Sequence, residues 1–170
     1  MAGQASGQRP GLDLYAVRVA LETHLFAALE PSFTAGETII VQPGQDITPD
    51  LAKIQVIHSV SPGAVLAGEL GGRQGICPRP GVYLVTLSSP ASDTARLARA
   101  WRLCGLVERA FYRADLPADG GVVCCEEPRA RVISSRNAGE TDGRPALSVS
   151  IPWWVWTGGL RETETEGKGD

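Results

Sequence analysis

His24, His58, the cysteines at 77, 104, 124 and 125, and the adjacent pair Glu126–Glu127 are the first residues to weigh for catalysis or metal binding. Their spacing argues against both. No Cys-x-x-Cys occurs, and two histidines elsewhere complete no metal-ligand pattern. Cys124 and Cys125 are neighbours, so a strand sends their side chains to opposite faces. The thiols read as small buried apolar residues of a reducing compartment. Glu126 and Glu127 are separated by the same alternation and cannot share one substrate as acid and base. No Gly-x-Ser-x-Gly elbow and no His-Glu-x-x-His is present. His58 falls in line with Ile54, Val56 and Val60, as a half-buried strand histidine with no placed partner. Gly71-Gly72-Arg73-Gln74-Gly75 has the glycines of a phosphate cradle but lacks the Gly-Lys-Ser/Thr ending. The expectation is a protein that is not an enzyme and holds no cofactor or metal.

The elements that position these residues belong to a small domain. The 170 residues are 43% hydrophobic and 21% charged, enough apolar surface for one core. Sixteen basic and nineteen acidic residues give a net charge of −3, which argues against strong sequence-independent binding of nucleic acid. No apolar run approaches the ~18 residues of a membrane span, and the first eleven residues lack the apolar block of a secretory signal. Residues 1–11 and the acidic 158–170 read as flexible arms around a folded 12–157.

A helix is expected from about Leu12 to Leu29, with Leu14, Val17, Leu21, Leu25 and Ala28 as its core stripe and Asp13 at its amino end. Tyr15, Val19 and Phe26 form a second apolar line, either a wider core face or a contact with another subunit. Strands are expected at Glu37–Gln42 and Ala52–Ser61. A long loop follows from Pro62 to Gly81, rich in glycine and proline. Val82–Ser88 is the clearest strand. A second helix is expected from about Asp93 to Arg113, with Ser92 as N-cap. It buries Leu97, Ala100, Trp101, Cys104, Val107 and Phe111 and turns Arg99, Arg102, Arg109 and Arg113 outward. Pro117–Gly121 reads as a turn, Val122–Cys125 and Ala130–Ser134 as strand, and Asn137–Gly143 as a polar turn. From Pro145 to Trp156 apolar and polar residues alternate, a last strand with Trp154 and Trp156 on its outward face. Pro152 places that strand at an edge or a bulge. The order α-β-β-β-α-β-β-β defines an α+β domain, a mostly antiparallel sheet packed against two helices.

Four stretches in this order resemble one family. They are the helix Val17–Leu25; the strand Ile54–His58 running into Pro62-Gly63 and Gly71-Gly72; Gly81–Leu87 followed by Ser88-Ser89-Pro90 and the helix Ala95–Ala100; and the closing strand Leu147–Trp153. Together they are similar to the tail-terminator, or tail-completion, proteins of long-tailed bacteriophages and prophages, over about residues 14–157. The resemblance implies a structural virion protein of the head-proximal tail end, assembled in the host cytoplasm. It implies a homo-hexameric ring that caps the tail tube, stops tube polymerisation and offers a surface to the head connector or stopper protein. Its partners are then further copies of itself, the tail tube protein and the connector. No membrane and no specific nucleic acid is expected.

A ring built from a head-to-tail contact needs two different patches on each copy. The candidates are Tyr15, Val19 and Phe26; Arg99, Arg102 and Arg109; and Trp154 and Trp156, with Arg73 on the long loop as a contact to the tube. Two other readings stay open. One is a head–tail joining ring of the same particle. The other is a cytoplasmic binding module that uses the arginine face of the second helix on RNA or DNA, with salt-dependent affinity.

Overall fold

The computed structural model describes residues 13–32, 38–41, 54–63, 77–88, 94–134 and 145–157. The expected arms 1–11 and 158–170, the Gly71–Gly75 stretch with Arg73, the cap Ser92 and the turn Asn137–Gly143 lie outside these residues.

Helix α1 spans Leu14–Leu29. Asp13 caps it, its Oδ1 accepting the Tyr15 N–H at 2.7 Å, which satisfies one of the amides a helix start leaves unpaired. A short 3-10 turn, Glu30–Ser32, follows. Strand β1 is Thr38–Val41, β2 is Ile54–Pro62 and β3 is Cys77–Ser88. Helix α2 spans Thr94–Phe111. Strands β4 (Asp115–Ala118), β5 (Gly121–Cys125), β6 (Arg129–Ser134) and β7 (Pro145–Thr157) complete the chain.

The strand order is β1-β2-β3-β7-β5-β4, with β6 also paired to β7. Only β1–β2 is parallel among the pairings. The α+β class and the mostly antiparallel sheet are therefore as the sequence implies, with one strand more. The residues read as a turn at Pro117–Gly121 are strand up to Ala118, and the reversal is confined to Asp119-Gly120.

The last strand is not an edge. Strand β7 lies between β3 on one side and β5 and β6 on the other. Pro152 is tolerated because the neighbouring chain breaks opposite it, between β5 and β6. Its carbonyl accepts from the Glu126 N–H at 2.8 Å, so the amide hydrogen it lacks would have faced that same gap. The same logic shortens the expected long loop. Strand β3 starts at Cys77 and carries Pro78 and Pro80, paired to Trp156 and Trp154 of β7. The Pro80 carbonyl accepts from Gly63 at 2.8 Å, just where β2 ends. Both prolines thus turn their missing donors to the side where β2 no longer runs.

The two helices cover one face of the sheet. Val17, Leu21, Leu25 and Leu29 of α1 pack with Leu103, Cys104, Val107 and Phe111 of α2 over Ile54, Val56, Tyr83, Val85, Leu147, Val149, Ile151 and Trp153. Trp101 does not join them. It is 49% exposed and Leu103 is buried in its place. Ala100, Cys104, Val107 and Phe111 fix the axis of the core face, and at 3.6 residues per turn Trp101 points roughly 100° away from it.

Helix α1 lies against β4 and also reaches His58 of β2. In the strand order those two are four spacings apart, about 19 Å in a flat sheet, while a helix is about 10 Å wide. With 16 residues, about 24 Å, α1 is long enough to bridge that distance.

Candidate assembly surfaces

The outer side of α1 is apolar where solvent would favour polar residues. Tyr15 is 70% exposed, Val19 41% and Phe26 38%. Tyr15 and Val19 therefore stand outside the core, whereas Phe26 lies at its rim with its ring against His58. Glu22 interrupts the line and pairs with Arg18, Nε to Oε1 at 2.5 Å.

Beneath this flank the helix covers a polar group that the core does not satisfy. His58 is fully buried and neither ring nitrogen has a hydrogen-bond partner among the described residues. Its Nδ1 lies 3.8 Å from Glu22 Oε1. Its ring meets Phe26 and Tyr83 edge-on, with centroids 6.3 and 5.8 Å apart. Burial pushes the His58 pKa down, Glu22 opposes that shift, and Arg18 adds to it. The Tyr83 hydroxyl, also buried without a partner, has its pKa raised by burial and by Glu22. His58 is thus a neutral core histidine at pH 7, packed deeper than its half-buried reading.

The arginines of α2 do not form one free basic face. Arg99 donates to the Ser32 carbonyl and so ties α2 to the end of α1. Arg109 donates from Nε to the Gly105 carbonyl at 3.3 Å on its own helix. Arg102 is exposed. Arg113 leaves the helix at φ 49° and pairs with Glu127 at 2.6 Å, both ends largely exposed, a geometry that adds little stability.

Of the tryptophans, Trp153 is buried in the core and Trp154, on the other face of the sheet, is half-buried. Trp156 pairs with Pro78 in the ladder, and its side chain lies outside the description. Arg73 lies outside the described residues. The sequence-derived candidates therefore fall on separate surfaces, the outer side of α1, the outer side of α2, and the sheet.

A shallow cavity of about 330 Å³ opens at the break between β5 and β6, lined by Arg113, Cys125, Glu126, Glu127, Arg129 and Pro152. Burial raises the thiol pKa of Cys125 to about 12 and that of Cys104 to about 11, which keeps both unreactive. Among the described residues no group of three or more His, Cys, Asp or Glu is placed to hold a metal ion.

Pattern reading missed the exposed run Arg129-Ala130-Arg131-Val132 of β6, in which Val132 is 55% exposed. The alternation of arginine with small apolar residues was the available signal.

No family model and no curated protein matches the sequence. Several solved structures share the fold, two of them over most of the chain. One, described only by a sequence label, superposes with a TM-score of 0.59 at 18% identity, covering 89% of this chain and all of its own. The other is a chain of the virion of a native gene transfer agent particle, with a TM-score of 0.51 at 15% identity, covering 86% of this chain and 97% of its own. At such identities the likeness establishes the shared fold.

Proposed function

We propose that this chain is a structural subunit of a phage-like particle. It closes into a ring, six-fold by the family resemblance, that caps the tail tube, stops its polymerisation and joins the tail to the head. The observation that carries this reading is the shared fold with a chain of a gene transfer agent virion, matched along nearly all of that chain's length. The apolar line Tyr15, Val19 and Phe26 supports it, since three such side chains on one helix flank gain from a covering partner. The role is structural and involves no turnover. The head-proximal end of a virion tail is its place, and the tube protein and head connector are its partners.

The test is native mass spectrometry with negative-stain microscopy of the purified chain, alone and with tail tubes. Hexamers with a central hole, or rings seated at tube ends that stop elongation, are expected. Replacing Tyr15, Val19 and Phe26 together by serine is expected to leave a folded protein that no longer forms rings. A chain that remains monomeric and leaves tube growth unchanged refutes the reading. Rings that bind the head connector and ignore the tube would move it to the neighbouring joining ring.

A further inference from the structure

We propose that the outer edge of β6 receives the segment Glu162–Glu166 of a second copy as an added strand. The inference rests on the ring reading for its second copy, and it names one contact of that ring.

Strand β6 pairs with β7 without interruption from Arg129↔Ser150 to Ser134↔Pro145. Among the described residues no strand lies on its other side. The Ala130 N–H donates to Glu108 Oε1 at 3.1 Å, so it points away from β7. Backbone groups alternate along a strand, so the N–H and carbonyl of Val132 point the same way. All four residues from Arg129 to Val132 are exposed. The edge is a template for another strand, whose carbonyl would take the Ala130 N–H in place of Glu108 and meet the Val132 N–H and carbonyl directly.

Elsewhere the chain blunts such edges. The Cys125 N–H donates to the Ala114 carbonyl, so Asp115 and Pro117 of β4 face outward and Pro117 offers no donor there. Pro78 and Pro80 do the same for the half of β3 that β2 does not pair. Strand β6 has no proline.

The occupant is argued from charge and reach. Residues 161–166 read Arg-Glu-Thr-Glu-Thr-Glu. As a strand they put Glu162, Glu164 and Glu166 on one face at a two-residue period. Arg129 and Arg131 repeat at the same period on the sheet face of Ser150 and Ser148. Glutamates laid beside them form opposite-charge cross-strand pairs.

The chain's own tail does not reach. If it left β7 at Thr157 and returned through the tightest two-residue turn, Gly158-Gly159, Glu162 would fall level with Val155 and Glu166 level with Ile151. Arg129 and Arg131 lie level with Ser150 and Ser148, beyond that point. The lane beside Val155 is already filled by β5. The tail must therefore come from another copy, and exchange of this kind is a head-to-tail contact that can close a ring.

The test uses the full-length chain and a synthetic peptide of residues 158–170 as probe, so it does not depend on ring formation. The peptide is expected to bind saturably and to slow hydrogen exchange at the Val132 amide. R129E/R131E is expected to weaken binding about tenfold, because two favourable pairs become unfavourable. A peptide with Glu162, Glu164 and Glu166 changed to arginine should restore it. Unchanged circular dichroism and thermal midpoint show that R129E/R131E still folds. No binding at about 1 mM peptide, or binding that leaves Val132 exchange and the charge-reversed variant unaffected, overturns the inference. Rings that form despite such a result leave the ring reading standing; a full-length chain that never forms rings while the peptide binds refutes the ring reading instead.

Discussion

The sharpest consequence of the sheet register concerns Gly81. It sits directly opposite Trp153 on β7, and a Cβ added to it would lie 2.1 Å from Cζ2 and 2.4 Å from Cε2 of the buried indole. Ordinary carbon contacts are about 3.5 Å or longer, so the indole must retreat by about 1.4 Å in a core with no slack. Overpacking of this size costs about 1–3 kcal/mol. Against it stands a gain of about 0.5–1 kcal/mol from removing a strand glycine. Gly81→Ala should therefore destabilise by about 1–2 kcal/mol. Trp153→Leu alone should cost more, because it empties part of the core. In the Trp153→Leu background the clash is gone, so Gly81→Ala should cost nothing or stabilise slightly. The double-mutant cycle then gives a coupling of about 2 kcal/mol. Urea titration reads it, with a midpoint change of about 0.5–1 M at constant slope for Gly81→Ala. Equal costs of Gly81→Ala in both backgrounds would refute the placement of Trp153 over Gly81, and with it the register of β3 on β7.

Two further predictions follow from the α1 flank and the helix tie. His58 is buried with its pKa lowered below the ordinary 6.5, so folding keeps it neutral. Its share of stability is complete above about pH 6.5 and is lost as the pH falls toward the lower folded-state value, at up to about 1.4 kcal/mol per pH unit; urea midpoints from pH 7.5 to 5 should fall less steeply in His58→Leu than in the wild type, and parallel profiles would show that His58 does not titrate differently on folding. Arg99→Ala frees the Ser32 carbonyl and should cost about 1–2 kcal/mol, whereas Arg102→Ala should stay within about 0.5 kcal/mol; thermal melts of both variants check this.

The helices, their core stripes and six of the seven strands were legible because each is a local periodicity. Val17, Leu21 and Leu25 repeat at helical spacing, and Leu147 to Val155 alternate. What escaped the sequence was pairing. Pro152 signals a missing donor, but only the register shows that the gap lies in the partner between β5 and β6. Pro78 and Pro80 look like loop residues until β2 is known to stop at Pro62. Trp101 was misplaced because a six-residue stripe leaves the helix axis undetermined by about one residue, and Leu103 competes for the same side. The arginine line of α2 was visible, but the tie of Arg99 to Ser32 is a tertiary contact 67 residues apart in sequence.

The same distinction explains why catalytic motifs carry so little of the function proposed for this chain. A catalytic site concentrates perturbed titratable groups in a cleft. Here His58, Tyr83, Cys104 and Cys125 are perturbed chiefly by burial, and the cavity that Cys125 lines beside Arg113 and Glu127 is shallow and largely charged. Among the surfaces that the described residues present to solvent are the apolar flank of α1 and the proline-free edge of β6. These are two different surfaces, one suited to side-chain burial and the other to backbone pairing. A subunit that meets itself head to tail needs two unlike patches of this kind, since a two-fold contact would require only one.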